Sequence, residues 1–159
     1  MFLKPGCYKM PAMIDDIYNT EVLRLAAHIS RIDPLRKPDA EAELRSPLCG
    51  STIAVQICVA DGRITDYAQE VKACALGQAA ASVMAAQVIG KDAAEIAAVR
   101  AVVEAMLKSG GAPPDGDWRA LAALQPAKDA KARHGAILLP LDAVLKALAG
   151  VDIMEEPEP

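Results

Sequence analysis

The chain has 159 residues, a length that suits one domain and is enough to bury a sizeable core. Its composition is 53% hydrophobic and 24% charged, as in ordinary globular proteins, and its net charge is -4. That acidic balance, with only 3% aromatic residues, excludes the basic face or stacking platform that nucleic-acid binding calls for.

The four cysteines, Cys7, Cys49, Cys58 and Cys74, are too widely spaced for the paired clusters of a zinc ribbon. A chain of this size does not depend on disulfide staples, and the first residues, with Lys4, Lys9, Pro5 and Pro11, hold no apolar run of signal-peptide length. These features indicate a cytoplasmic protein with free thiols. The uncharged stretch from Ala73 to Gly90 reaches the lower length limit of a membrane span. It is dominated by alanine and interrupted by Gln78, Ser82 and Gln87, so it reads as a central buried helix and not as a span.

In chain order, Ile14, Tyr18, Val22, Leu25 and Ile29 share one face of a helix expected over residues 13–31. Asp33-Pro34 and Lys37-Pro38 mark a loop. Ala40, Ala42 and Leu44 then alternate with charged residues, as in a strand with one wet face. After Ser46-Pro47-Leu48-Cys49-Gly50 the alternation resumes, with Ile53, Val55, Ile57 and Val59 on one side and Ala54, Gln56 and Cys58 on the other. Asp61-Gly62 is a hairpin signal, and a return strand is expected from about Arg63 to Val71. The remainder reads as helical: Cys74 to Ile89, closed by Gly90; a helix capped by Asp92 and running to about Lys108; a short one over Trp118 to Leu124; and a last from about Pro140 to Leu148. Strands first and helices after them imply an α+β domain, a small three-stranded antiparallel sheet with helices packed on one face. The domain is expected over residues 1–150, with an acidic, disordered tail over 151–159.

Two cysteines stand at element junctions. Cys49 occupies a strand-to-strand connection in which Gly50 permits a tight backbone path. Cys74 is placed at a helix start beside Lys72, where unpaired N–H groups and positive charge favour the thiolate. Cys7 and Cys58 read as unremarkable thiols, and His28 as a solvent-facing side chain. No phosphate loop, dinucleotide fingerprint, H-E-x-x-H helix or nucleophile triad is present, so an enzymatic role finds no support.

Ser46-Pro47-Leu48-Cys49-Gly50-Ser51 resembles the N-P-x-C-G-D loop of the NifU/IscU-type (SufU-like) iron–sulfur cluster scaffolds. Asp61-Gly62-Arg63-Ile64 resembles the hairpin that follows it, and Ala73-Cys74-Ala75-Leu76-Gly77-Gln78-Ala79-Ala80-Ala81-Ser82-Val83-Met84 is similar to the G-C-A-I-S-x-A-S-A-S-x-M segment. Arg133-His134-Gly135-Ala136-Ile137-Leu138-Leu139-Pro140 resembles the R-x-x-C-A-x-L-P stretch. The four segments run in the family's order from about residue 40 to 148, and the resemblance implies a SufE/NifU-like fold.

The resemblance also implies a site of three cysteines and an aspartate that holds a nascent cluster. Cys49 and Cys74 match the first two ligands. Ser51 stands at the aspartate position, and Ala136 (or Gly135, under a one-residue shift) at the third cysteine. His134, beside the missing cysteine, is the substitute metal ligand that the sequence suggests. Glutathione, a second copy in a homo-oligomer or a partner protein are other ways to complete the site. The implied function is a scaffold-like role in iron–sulfur cluster assembly, binding iron, a [2Fe–2S] cluster or zinc. Its implied partners are a cysteine desulfurase and apo iron–sulfur acceptor proteins. The alternatives are a persulfide acceptor, using Cys74 before the others, and an interaction module that keeps the fold without the site.

Overall fold

The computed structural model describes residues 18–155. Strands β1 (Ala40–Arg45), β2 (Thr52–Ala60) and β3 (Arg63–Lys72) form an antiparallel meander in that spatial order. The sequence alternation sets the faces: Ile53, Val55 and Ile57 are buried, while Ala54, Gln56 and Cys58 are half-buried on the other side. Asp61 and Gly62 both adopt positive φ, at 53° and 76°, which matches the twist of a two-residue hairpin. The ladder slips at Cys58/Val59, pairing Val59 with Ile64 but Cys58 with Asp66. That extra residue on β3 lets Ile64 and Tyr67, three apart, both turn inward.

Helix α1 (Thr20–Ala27) is shorter than the helix expected over 13–31. Asn19 caps it, its side chain accepting from the Val22 N–H at 2.9 Å, and Val22 and Leu25 face the core. It stops because the chain beyond His28 is recruited by β3. The Gln69 backbone N–H donates to the Arg31 carbonyl at 2.9 Å, and its side-chain amide to the Ser30 carbonyl at 3.1 Å. The part of the expected helix over 13–17, and Cys7, lie outside the described residues. His28 is exposed, as its position on the helix flank suggested.

Helix α2 (Ala75–Gln87) is the central helix, with nine of its residues buried from Leu76 to Ala85. At 13 residues it is too short to span a bilayer. Helix α3 (Ala93–Ser109) opens with a reciprocal capping box between Asp92 and Glu95 and closes on Gly110 at φ 68°. The expected short helix at Trp118 is a longer 3₁₀ run, Gly116–Asp129, burying Trp118, Leu121, Leu124 and Ala127.

The last helix, α4 (His134–Glu155), begins earlier and ends later than expected. Pro140 does not open it but sits in its second turn, where it removes one N–H and leaves the Ala136 carbonyl without its helical partner. The helix also runs past residue 150, the expected domain boundary; residues 156–159 lie outside the described part. The stretch Lys131–Val151 is long and apolar enough to cross a membrane, but 67% of it is buried inside the protein. It is the core helix on which the sheet, α2 and α3 pack. One continuous apolar cluster joins Ile53, Val55 and Ile57 of the sheet to Leu76 and Met84 of α2 and Ile137 and Val144 of α4.

Candidate thiolate site

β2 and β3 end together: Thr52 pairs with Arg45 on one side and Lys72 on the other. The loop carrying Cys49 and the junction carrying Cys74 therefore emerge at the same end of the sheet. The Cys49 loop is closed by two backbone hydrogen bonds, Ser46 N–H to the Ser51 carbonyl and Gly50 N–H to the Ser46 carbonyl, both 2.8 Å. Gly50 takes φ 73°, which only glycine adopts without strain, and so turns the chain back toward β2. Leu48 is left 77% exposed at the loop tip, with Cys49 half-buried behind it.

Ser46 and Ser51 are both buried beneath the loop. The Cys49 Sγ lies 3.2 Å from the Ser51 Oγ. Burial alone pushes the Cys49 thiol up, but the Ser46 and Ser51 hydroxyls, the Ser51 backbone and the positive charge of Arg133 together outweigh it. They hold the thiol below its ordinary value. The shift favours the thiolate of Cys49, the form of a cysteine that reacts and binds metal.

Cys74 is the N-cap of α2, half-buried, with extended backbone dihedrals and no side-chain capping bond. It immediately precedes the first turn of the helix, whose N–H groups have no partner within the helix. The Lys72 ammonium nearby in sequence is exposed and pairs with Glu70 at 3.6 Å. The thiolate-stabilising side chains that the structure brings together surround Cys49.

Gly135 and Ala136, near the start of α4, face the Cys49 loop and the start of α2, and neither has a side chain that can bind metal. A Cβ at Gly135 would lie 2.6 Å from the Ser46 Oγ, so this glycine faces the Cys49 loop. Ala136 is buried against the start of α2, where a Cβ at Gly77 would meet its carbonyl oxygen at 3.3 Å.

His134 is packed inside the protein. Its ring is 5% exposed, and Nε2 lies 3.0 Å from the carbonyls of both Ala127 and Lys128. Two carbonyl partners require a donor, so this nitrogen carries the proton and the ring's lone pair is left on Nδ1. The histidine ties the end of the 3₁₀ run to the head of α4. Among the described residues, no group of three or more His, Cys, Asp or Glu side chains is placed to hold a metal ion. Cys58, with its sulfur 3.5 Å from the Lys37 carbonyl, belongs to the opposite sheet face.

Sequence reasoning missed Ser46 and Arg133. Both stand in the recognised motifs, but only the closed loop reveals them as partners of Cys49.

A meander backed by helices, with paired cysteine junctions at one end of the sheet, defines a NifU-type domain. The model of the NifU-like N terminal domain matches residues 17–134, and the chain belongs to that family. It is 47% identical to a nitrogen-fixing NifU-like protein (N-terminal) from Brucella abortus, with TM-score 0.86 over 89% of this chain and 98% of that one. A protein assigned as an iron–sulfur cluster assembly scaffold of the SUF system, from Fervidobacterium islandicum AW-1, shares the fold at 22% identity. Its TM-score is 0.74 over 83% of this chain and 96% of that one. No curated protein sequence matches the chain.

Proposed function

We propose that the protein works in iron–sulfur cluster assembly, carrying iron or a [2Fe–2S] cluster as cargo on Cys49 and Cys74 for delivery to acceptor proteins. Family membership supports this reading, as does the solved scaffold that shares the fold. The observation that carries it is Cys49 itself, held below its ordinary pKa at the end of the sheet where Cys74 emerges. Thiolate is the form that ligates iron, and it is also the form that accepts sulfur from a cysteine desulfurase. Zinc would occupy the same two thiolates.

Two thiolates fill half of a four-coordinate site, so the cargo's remaining positions come from outside these residues, and loose, transferable binding follows. The test is iron and acid-labile sulfide content of protein purified without oxygen, before and after reconstitution, beside a Cys49→Ala/Cys74→Ala control. Iron with sulfide that disappears in the control supports the proposal. Equal, background amounts in both proteins sink it.

The second reading, a persulfide acceptor, is favoured by the four contributions that lower the pKa of Cys49. Its sulfur would attack the outer sulfur of a desulfurase persulfide; the new S–S bond forms as the old one breaks, and the enzyme's thiolate leaves. Mass spectrometry after incubation with desulfurase and cysteine tests it. A gain of one sulfur abolished by Cys49→Ser, with metal at background, would favour this reading over the first.

A further inference from the structure

Beside the Cys49 loop lies a cleft of about 570 Å³, within the ~300–1,000 Å³ of small-molecule sites. One wall is the loop itself, Ser46-Pro47-Leu48, and the apolar floor is Leu107 and Leu138. Lys128 and Lys131 stand on its rim. Arg100 and Lys108 also line it, but their charges are already met: Arg100 binds Asp142 and Glu104, and Lys108 lies 3.9 Å from Glu104. By contrast, neither Lys128, Lys131 nor the nearby Arg133 forms an ion pair among the described residues. Three unpaired cations thus gather at one end of a chain whose net charge is -4. Cations on the rim of an apolar cleft concentrate small anions there.

We infer that this cleft binds a small anionic thiol, a short peptide with free carboxylates and a cysteine, whose sulfur completes the ligand set of Cys49 and Cys74. The inference rests on the scaffold reading above and supplies what that reading leaves open. Ser51 and Ala136 cannot donate a thiolate, and the Nε2 of His134 is committed to backbone carbonyls. The carboxylates meet Lys128 and Lys131, the apolar floor takes the peptide's methylenes, and the thiol is held against the loop that carries Cys49. On ligating the cargo metal the thiol gives its proton to solvent, and no redox change is involved.

Glutathione and its S-methyl derivative are the probes. Titration of S-methylglutathione, which has no free thiol, into the reduced, metal-free full-length chain is expected to give saturable binding by NMR. Lys128→Glu/Lys131→Glu, at two exposed positions that leave the core untouched, is expected to weaken it roughly three- to thirtyfold. Absence of binding, or binding indifferent to the charge reversal, overturns the inference.

In reconstitution, glutathione is expected to leave more iron and sulfide on the protein after desalting than 2-mercaptoethanol does, and the double variant should lose only that advantage. Equal retention with the two thiols overturns the ligand-completing role. No iron or sulfide under any thiol would fail the scaffold reading instead, and the titration would still decide the cleft.

Discussion

The Ser51 hydroxyl lies 3.2 Å from the Cys49 sulfur, at the position where the family pattern carries an aspartate. A carboxylate there would stand against a thiolate as a second negative charge, and would also offer metal an exchangeable oxygen. The serine does neither. Its hydroxyl and backbone stabilise the thiolate, together with Ser46 and Arg133, so an alcohol here supports the neighbouring sulfur where an acid would oppose its charge.

Alkylation of Cys49 by iodoacetamide, followed by peptide mass spectrometry across pH, should therefore show a midpoint below the ~8.5 of an ordinary cysteine. Ser51→Ala should move it up, and Ser51→Asp further, because a like charge is added to a lost donor. The sign for stability follows from the depressed folded-state pKa. The thiolate's contribution is complete above the unfolded pKa and is lost as pH falls through the folded value. A midpoint unchanged in Ser51→Ala would place the control of this thiol elsewhere.

His134 is expected to matter for stability and not for metal. His134→Ala removes the donor to the Ala127 and Lys128 carbonyls and empties a buried site, at a cost of about 1–3 kcal/mol in denaturant unfolding. Iron content per folded chain should stay at the native level. A selective loss of iron with stability intact would restore the histidine as a ligand.

The meander was legible in the sequence because its signals are local. Alternation at Ile53, Val55 and Ile57 fixed the buried face, and Asp61-Gly62 fixed the turn to the residue. Asp92 announced the start of α3 for the same reason, since a capping box closes within four residues. The misreadings are tertiary. Helix α1 ends early because β3 takes the Arg31 carbonyl, and α4 starts early because a proline in the second turn costs only one helical bond. Nor does anything in the sequence say that the His134 Nε2 meets two backbone carbonyls. The two cysteines were recognisable from their junctions and motifs, whereas the partners that favour one over the other became visible only when the Ser46–Ser51 loop closed.

The approach of α2 to α4 depends on Gly77. A Cβ there would lie 2.8 Å from the Ala73 Cβ, so the segment leading into α2 must shift, and 3.3 Å from the Ala136 carbonyl, which must give by a few tenths of an ångström. Gly77→Ala is expected to destabilise the fold by about 1–3 kcal/mol, read as a lowered urea midpoint at unchanged slope. It should also reduce iron retention, since Cys74 caps α2 one turn below. A neutral effect on both would mean that this contact is loose.

Restoring the third thiol is the sharpest question that can be put to the site. Ala136 is 1% exposed at the head of α4, packed against the start of the helix that Cys74 caps, and Gly135 beside it faces the Cys49 loop. A sulfur on residue 136 would enter beside Gly77, three residues after Cys74, and would crowd that contact. Ala136→Cys is expected to raise the iron and sulfide retained after desalting and to slow their loss to a chelator, because a third protein thiolate replaces an exchangeable outside ligand. Adding Cys49→Ala should cancel the gain, which separates a shared site from a stray surface thiol. If Ala136→Cys folds and binds no more iron than the native chain, the head of α4 does not converge on the cysteines, and the native site works with two thiolates by a different geometry.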